Sequence, residues 1–533
     1  MEVTKHNFSE AAPAFLSALE KCTLIGMDIE CSGITSENPV QRTDTPMEYY
    51  YKILPVAVRF KIIQLGFSLF VPEGDSFEVH TFYFYLFPST AGDKIAQNFG
   101  MEVSSIEFLK NCGTIDFNKW IKDGLASFPE HHRATLRNFI FEKKTVNLFE
   151  KLELKEEGAE PVKIHNDEER ARMDSRIKDF EEWIKAPEEP FVIEEPRPFL
   201  LRYFIEQNNE MIKNKSRLIL KDEKVGQMIR YTFTFVTEDS KKEAETQRKE
   251  KLEETYEAEL GFSSLWEKMK VIWQEKKIPV VGHNSIVDLI FVTSQLEKQL
   301  PVNYFDAKSL ISSVFPVFYD TKILASEIDL GNLSLSELHE KLFRNPESPI
   351  KTKFTFKYSE NEVAYHNAGL DAQATGQVFL GLKEKVPHFE KFTNLVKIYT
   401  NKIFHINLAE KTKDHIISPD LLVLYPIVPQ GAVKDDELIK LKNIAFDSVR
   451  NHNKLLEANN RVSEHRALFL LSNNKVYILE LDKNDKAKDL LMKELEKKFD
   501  IVPLQTHYER VAKEFEEKVY GQTNSKYPFL TRL

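Results

Sequence analysis

An apolar stretch near the start of the chain, residues 23–33, ends in two acids and constrains the fold more than any other segment. Its sequence, TLIGMDIECSG, is typical of a β-strand. Side chains two residues apart on a strand point to the same face, so Asp28 and Glu30 project together from its end. Adjacent like charges are unfavourable unless cations neutralise them, which favours a metal-binding edge. For this pair alone, a solvent-facing strand end with two incidental acids is an equally good interpretation.

Size, charge and cysteine content limit the class of protein. The chain has 533 residues, of which 42% are hydrophobic, enough for roughly two to four folded units. Its net charge of −10 means that a nucleic-acid partner would need a local basic groove, because the field of the whole molecule repels phosphate. The three cysteines have no repeated spacing, which indicates a reducing compartment and no zinc or disulfide framework.

The sequence carries no pattern typical of targeting to a membrane. No basic region followed by an apolar run opens the chain, and no window of about 18 uninterrupted apolar residues occurs in it. We therefore expect an intracellular protein without a membrane segment of its own, in the cytoplasm or its RNA granules, with the nucleus as an open alternative. Recruitment to a membrane or granule would then need a partner protein.

The order of apolar patterns predicts an α/β fold that is interrupted by an insert. A helical pattern over residues 8–21 leads into the acidic strand, and β-branched and aromatic runs at 62–71 and 79–87 predict two further strands joined by a turn. Residues 237–259 are almost entirely charged or small and are predicted to form a solvated helix. The predicted domains are 1–145 and 256–400 for the two halves of the main domain, 146–255 for the inserted subdomain and 401–533 for a C-terminal α+β module.

Two later segments supply further acids and a histidine. Asp288 falls in the first turn of a helix that follows a short apolar strand, with Asn284 as the expected N-cap. His366 and Asp371 belong to the motif HNAGLD, near the start of a final helix predicted over 361–385. Between them, residues 318–325 are predicted to form another strand.

The spacing of His366 and Asp371 sets a condition on the site. Residues five apart on a helix are separated by about 140°, so the two side chains meet only if His366 lies in the approach to the helix. Gly369 makes a break there feasible. Carboxylates suit magnesium or manganese, and two such ions about 3.5 to 4 Å apart orient a water for in-line attack on a phosphodiester. A neutral histidine beside them is a suitable general base.

The order of these motifs resembles that of a known nuclease superfamily. DIE, then the helix Asp, then H-x4-D is similar to the pattern of the DEDD exonucleases of the RNase H-like fold, and Asn367 stands where the tyrosine subclass has Tyr, which favours the histidine subclass. The motifs DIECSGI, PMEYYY, IIQLGFSLF, YFYLFP, SSIEFL, DFNKWIKDGL, GHNSIVDL, FPVFYDTK and HNAGLDAQATG resemble the poly(A)-specific ribonuclease (PARN) family. They resemble equally its relatives that trim small-RNA 3′ ends, including piRNA precursors, over residues 1–145 and 255–390.

The resemblance implies a fold, a reaction and a set of site residues. The fold would be an α/β RNase H-like mixed sheet flanked by helices, with an inserted α+β subdomain and a C-terminal α+β module. Asp28, Glu30, Asp288 and Asp371 would ligate two magnesium ions, with manganese as a substitute, and His366 would activate the water. The reaction would be hydrolysis from a free RNA 3′ hydroxyl with release of 5′ nucleotides, and homodimers would be frequent.

Some positions depart from the PARN pattern or are weaker candidates. Cys31 stands where PARN carries Phe, at a position expected to contact the terminal nucleotides, which puts adenine preference in doubt. Gly33 and Ile34 are expected to line the substrate path, the glycine because the backbone must come close to the RNA. Lys322 is a candidate for steadying the scissile phosphate, and Asp320 is expected to be a buried capping or positioning acid. The C-terminal module lacks the aromatic pattern of an RNA-recognition domain.

Three functions remain open from the sequence. The leading hypothesis is a magnesium-dependent 3′-to-5′ exoribonuclease that trims small-RNA precursors, piRNA above all, while they are bound to an Argonaute or PIWI protein and delivered by an adaptor. The nearest alternative is a poly(A) deadenylase. A catalytically silent RNA-binding scaffold is the alternative from another class, and the intact acids and histidine argue against it.

Overall fold

A central mixed β-sheet dominates the computed structural model of the protein. The structure describes residues 1–41, 44–89, 95, 97–145, 162–186, 189–195, 198–208, 218–225, 228–235, 238–343, 351–354, 365–399, 401, 403–417, 422–426, 470–471, 477–479, 493, 496 and 499–520. The chain divides into two compact units. Unit 1 comprises Met1–Ser89, Ala96–His131 and Gly261–Leu533, and unit 2 comprises Thr90–Ile95 and His132–Leu260. The four domain boundaries given above stay predictions.

The strands of the two units range from two to twelve residues in length. They are β1 (Glu2–Val3), β2 (Leu24–Cys31), β3 (Ile62–Glu73), β4 (Ser76–Tyr85), β5 (Phe191–Glu195), β6 (Leu218–Val225), β7 (Met228–Phe235), β8 (Val280–Gly282), β9 (Phe318–Asp320), β10 (Lys351–Phe354), β11 (Leu395–Lys397), β12 (Phe404–Asn407), β13 (His415–Ile416), β14 (Leu422–Pro426), β15 (Leu470–Leu471), β16 (Tyr477–Leu479) and β17 (Phe499–Pro503).

The main sheet has seven strands in the order β1-β4-β3-β2-β8-β9, with β10 also paired to β4. Strand β3 pairs antiparallel with β2 and with β4, whereas β8 runs parallel to β2, β9 runs parallel to β8, and β1 and β10 run parallel to β4. An antiparallel start that continues into parallel strands is the mixed order expected of an RNase H-like sheet. The predicted fold class, a mixed α/β sheet flanked by helices, is therefore confirmed.

Helices connect the strands in both units. They are α1 (Phe8–Leu19), α2 (Pro46–Arg59), α3 (Val103–Cys112), α4 (Phe117–Asp123), α5 (Glu130–Thr145), α6 (Asp167–Trp183), α7 (Pro198–Gln207), α8 (Glu238–Leu260), α9 (Phe262–Lys276), α10 (Ile286–Val292), α11 (Tyr304–Val314), α12 (Thr321–Ser326), α13 (Leu335–Leu342), α14 (Ala368–Lys385) and α15 (Leu504–Tyr520). The predicted strand at 318–325 is wrong beyond Asp320, because that side chain accepts the Lys322 N–H at 2.9 Å and so caps α12. The helix predicted over 361–385 begins at Ala368 and not at residue 361, because Asn367 caps it; residues 361–364 lie outside the described residues.

An aromatic core fills the sheet face that carries α1. Phe15 of α1 packs edge-on against Phe67 and Phe82, with ring centroids 5.8 and 5.2 Å apart. Phe82 and Phe84 are fully buried, so these rings belong to the core of the sheet and are not a base-stacking platform. The opposite face is left for α14.

Unit 2 has a sheet and a core of its own. Its antiparallel sheet has the order β5-β7-β6, and Phe180, Phe204 and Phe233 meet in the buried cluster. The charged segment predicted to be a solvated helix is α8, which pairs Glu253 with Arg137 of α5 at 2.7 Å.

The described parts of the C-terminal region pack into unit 1. Val423, Val502, Leu504 and Tyr508 belong to the same buried cluster as Phe15 and Phe67. In the part of the chain that the structure describes, no helix combines the length and the apolar character needed to cross a membrane.

Candidate active site

The first two predicted acids lie where the sequence pattern placed them, on one face of β2. Asp28 pairs with Gly66 of β3, and Glu30 pairs with Gln64. A Cβ on Gly66 would lie 1.9 Å from the carbonyl oxygen of Ala368. The bare glycine therefore allows the N-terminal turn of α14 to approach this face of the sheet, which a side chain would prevent.

Asp371 reaches the same face from the first turn of α14. Asn367 caps the helix by accepting the N–H groups of Gly369 and Leu370 at 3.0 and 3.3 Å. His366 precedes the cap with a left-handed φ of 73°, and its N–H donates to Asp371 Oδ2 at 2.8 Å. The helix thus begins after the histidine, as the spacing required, but the cap and the turned histidine produce the break, and Gly369 lies inside the helix.

Three of the predicted residues have ligand atoms close enough to one another to bind one ion. Ligand atoms of Glu30, His366 and Asp371 all lie within 4.8 Å of one another. The carboxylate of Asp28 interacts electrostatically with Asp371, Asp288 and Glu30, in that order of strength. Asp28 and Asp288 therefore lie near enough for their charges to act on this group, and these two acids together with Glu30, His366 and Asp371 are called the cluster below.

Asp288 joins the cluster from α10, which follows the parallel strand β8. It lies in the first turn, as predicted, but the expected N-cap is wrong: Ser285 holds the cap position and Asn284 has a left-handed φ of 58°. The reason is long-range, because Asp320 Oδ1 accepts the Asn284 N–H at 2.8 Å and fixes that turn.

Burial raises the pKa of all four carboxyl groups, and the charges of neighbouring acids raise it further for three of them. Burial, followed by the charges of its three acidic neighbours, raises the pKa of Asp28 well above its ordinary value. Burial and the charges of Asp371 and Asp288 raise the pKa of Glu30 to about 8. Burial raises the pKa of Asp371 to about 7 and, together with the charge of Asp320, that of Asp288 to about 7. Among the described residues, no lysine or arginine forms an ion pair with these acids.

This donor set suits hard divalent cations. Clustered carboxylate oxygens without a cationic side chain favour magnesium or manganese, and bound ions would offset the repulsion among the acids. An oxygen-rich cluster with one imidazole fits such ions better than a thiol-based or multi-histidine site.

His366 is exposed at the edge of the cluster, and two residues outside the cluster contact it. Its ring meets Phe108 of α3 edge-on, with centroids 4.6 Å apart, and its carbonyl accepts the Thr114 hydroxyl. Partial burial lowers the pKa of His366, which favours the neutral imidazole that can accept a proton. Sequence reasoning did not identify Phe108 or Thr114 as neighbours of His366, because the amphipathic pattern of SSIEFL does not reveal which exposed ring contacts a distant histidine.

The weaker candidates differ in their relation to the cluster. Cys31 is 9% exposed, and its thiol interacts electrostatically with Glu30 and Asp288. Ile34, by contrast, is 56% exposed. The Lys322 ammonium donates to the Leu333 carbonyl at 2.5 Å, and its charge interactions are with Asp320 and Glu337 rather than with the four acids. The structure therefore does not bring Lys322 to the cluster.

A glycine is needed at position 33 for a structural reason that the sequence did not indicate. A Cβ at this position would lie 2.5 Å from the ring of Phe60 and 2.8 Å from Cβ of Glu102. Close packing within the protein already requires the glycine, independently of any approach of RNA.

Comparisons with known proteins agree with this architecture. Residues 3–379 match the family described as CAF1 family ribonuclease. The chain is similar to poly(A)-specific ribonuclease PARN of Xenopus laevis, with 26% identity over 453 residues that cover 79% of this chain and 70% of the relative. It is similar to poly(A)-specific ribonuclease PNLDC1 of Mus musculus, with 26% identity over 80% of this chain and 82% of the relative. For PNLDC1 of Homo sapiens the identity is 25%, over 83% of this chain and 89% of the relative.

One solved structure with which the chain aligns is S. pombe Pop2p in a form with magnesium and manganese bound. The identity is 14% and the TM-score 0.37, over 75% of this chain and 98% of that one.

Proposed function

The chain belongs to the CAF1 family of ribonucleases and is a 3′-to-5′ exoribonuclease, and we propose that it trims the 3′ ends of small-RNA precursors, piRNA precursors foremost. The observation that carries the proposed mechanism is the convergence of Glu30, His366 and Asp371 within 4.8 Å. Asp28 and Asp288 complete the cluster.

Each residue of the cluster has a proposed role. Asp28, Glu30, Asp288 and Asp371 would hold two magnesium ions, with manganese as a substitute, and such ions would supply polarisation of the scissile phosphate and a lowered pKa of bound water. The imidazole of His366 accepts a proton from the attacking water. Phe108 limits the rotation of that imidazole by contact with its ring, and the Thr114 hydroxyl fixes the backbone that carries it by donating to the His366 carbonyl. Hydrolysis breaks the last phosphodiester bond and leaves a new 3′ hydroxyl on the shortened RNA.

One feature supports a mixed-sequence precursor over a poly(A) tail. Cys31 is buried near the charges of Glu30 and Asp288, and it carries a small thiol where the PARN pattern has a Phe ring that could stack on a terminal base. A poly(A) tail is the second candidate, because both groups of relatives are named poly(A)-specific ribonucleases.

A comparison of labelled substrates tests the proposal. With magnesium, a 5′-labelled RNA of mixed sequence should give a ladder that shortens from the 3′ end at a rate within about threefold of oligo(A). A 3′ phosphate or a 2′-O-methyl group at the terminus should block both. Preference for oligo(A) by more than about a hundredfold would identify a deadenylase, and binding without shortening would identify a scaffold.

The biological setting belongs to the same proposal. The RNA is presented by an Argonaute or PIWI protein, an adaptor brings the enzyme to it in the cytoplasm, and the enzyme acts as a homodimer. Sequencing small RNAs after depletion of the protein should show piRNA precursors extended at their 3′ ends. Unchanged 3′ ends of those RNAs would contradict this assignment.

A further inference from the structure

We propose that Glu102 is a positioning residue that joins the Gly33–Ile34 loop to α3 and so fixes the distance between this loop and the helix whose Phe108 contacts His366. This inference rests on the proposed function, because it takes the loop to lie along the RNA path. Glu102 itself is not one of the five clustered groups, and none of the predicted roles above involves it.

The carboxylate of Glu102 collects five hydrogen bonds from two separate segments. Its Oε2 accepts the backbone N–H groups of Ile34 and Thr35 at 2.9 and 3.1 Å, and its Oε1 accepts the Thr35 hydroxyl at 2.5 Å. On the other side, the hydroxyls of Ser104 and Ser105 in the first turn of α3 donate at 2.8 and 3.2 Å. Hydrogen bonds to a charged acceptor are about twice as strong as neutral ones, so this carboxylate is a firm link between loop and helix.

The ionised form of Glu102 is strongly favoured. Partial burial opposes ionisation, but the bonds from the Thr35 hydroxyl, the Ile34 N–H and the Ser104 hydroxyl outweigh it and lower the pKa of Glu102 to about 2. The link is therefore intact at any pH at which the enzyme would work.

Backbone bonds hold the same region in register. The Glu102 N–H donates to the Ser32 carbonyl at 2.8 Å, and the Ser32 hydroxyl donates to the Gly100 carbonyl at 2.8 Å. These bonds fix the base of the loop beside the end of β2. Beyond Ser32, the bonds that orient Ile34 and Thr35 come from the Glu102 side chain.

The far part of α3 reaches the catalytic histidine. Phe108 is 49% exposed, and its ring contacts that of His366. Leu109, one residue later, is 2% exposed and anchors the helix in a cluster with Ile63 and Trp120. One rigid helix thus carries Glu102 before its start and Phe108 in its second half. Loosening of the Glu102 link would free Ile34 while leaving Phe108 and His366 anchored.

The substitution Glu102→Gln tests this arrangement with little change in shape. The amide keeps one acceptor oxygen, but its NH2 group cannot accept a hydrogen bond, so one set of donors loses its partner. We expect the KM for mixed-sequence RNA to rise about tenfold while kcat stays within about threefold, because the loop contacts RNA but not the reacting atoms. With calcium in place of magnesium, the Kd for the same labelled RNA should rise by a similar factor.

Two further variants separate positioning from general stability. Glu337→Gln alters a comparable capping carboxylate, which accepts the Ser334 N–H at 2.7 Å at the start of α13, and should leave KM and Kd unchanged. Thr35→Val removes one donor to Glu102, so its effect should be smaller than that of Glu102→Gln and should not add to it in the double variant.

The possible results distinguish failure of the positioning role of Glu102 from failure of the proposed function. Wild-type KM and Kd values for Glu102→Gln, or additive effects with Thr35→Val, would overturn the positioning role. Failure of the wild-type protein to shorten any RNA would instead contradict the proposed function. In that case the Kd comparison in calcium still decides whether Glu102 shapes the RNA-binding loop.

Discussion

Two buried groups in unit 1, the single carboxylate of Asp414 and the four acids of the cluster beside His366, differ in their hydrogen-bond and ion-pair partners. The side chain of Asp414 is 1% exposed and surrounded by donors: Lys308 and the Asn407 N–H bond Oδ1 at 2.8 and 3.0 Å, and the hydroxyls of Tyr304 and Tyr508 bond Oδ2 at 2.8 and 2.7 Å. The four clustered acids beside His366 have no such cationic partner among the described residues. A single acid with all its lone pairs used is a structural link, whereas four acids that repel one another are a site prepared for cations.

The first prediction removes one acid from the cluster without changing its shape. Asp28→Asn should lower the exonuclease rate at least about a thousandfold, because a proposed metal ligand is lost. Since the substitution also relieves repulsion, the melting temperature of the metal-free protein should stay the same or rise. Rate assays and thermal melts in EDTA check both parts.

Asp123→Asn is the matched control for that experiment. Asp123 is a surface carboxylate that contacts His6 at 2.9 Å, so its loss should leave the rate unchanged. A fall in melting temperature for Asp28→Asn without a fall in rate would contradict the assignment of the cluster as a metal site.

The second prediction concerns the satisfied acid. Asp414→Asn leaves Lys308 buried with an amide in place of its counter-ion and should lower the free energy of unfolding by about 3–5 kcal/mol. Because Asp414 also bonds Tyr508 of α15, the C-terminal helix should lose protection from proteolysis. The rate per folded molecule should match the wild type, and urea unfolding with a parallel rate assay measures the two effects.

The third prediction uses Asp320, which has features of both groups. It accepts the N–H groups of Asn284, Lys322 and Lys397 at 2.8 to 2.9 Å, yet its charge also acts on Asp288. Asp320→Asn should lower the free energy of unfolding by about 1–3 kcal/mol, because at least one N–H loses its acceptor. The magnesium concentration for half-maximal rate should also change, since Asn284 leads into the helix of Asp288. A stability change with an unchanged magnesium dependence would place Asp320 with Asp414 as a purely structural acid.

The fourth and smallest effect is on the pH dependence of stability. The pKa of Glu30 is raised to about 8, and those of Asp288 and Asp371 to about 7, so the folded metal-free protein binds more protons than the unfolded chain near neutral pH. Stability from these groups is therefore complete below the unfolded pKa values of about 4, decreases as the pH rises above them, and is lost once the pH has passed the folded values of about 7 to 8. In EDTA, the melting temperature should fall by about 5 °C between those limits. Magnesium should flatten the slope, and equal slopes with and without magnesium would contradict the prediction.

Local patterns were sufficient to predict the elements that carry the acids. The period of two on β2 placed Asp28 and Glu30 together, and the five-residue spacing of His366 and Asp371 required a helix that begins after the histidine. Both inferences depend on neighbours in the chain, where strand and helix geometry fix the outcome.

The features that could not be predicted depend on contacts between distant residues. The turn at Asn284 is set by Asp320, and the need for glycine at position 33 comes from the ring of Phe60. The orientation of Lys322 toward Leu333 and the contact of Phe108 with His366 likewise join separate segments. No periodicity or cap signal reports such pairs, since packing and long-range hydrogen bonds override local preference.

A calorimetric titration of metal-free protein with manganese tests the central claim most directly. Four converging carboxylates should bind two ions per chain in a saturable way, and Asp371→Asn should weaken or abolish at least one of the two sites. If the wild-type protein shows no saturable binding, or if Asp371→Asn binds both ions as tightly as the wild type, the cluster is not the metal centre of a nuclease.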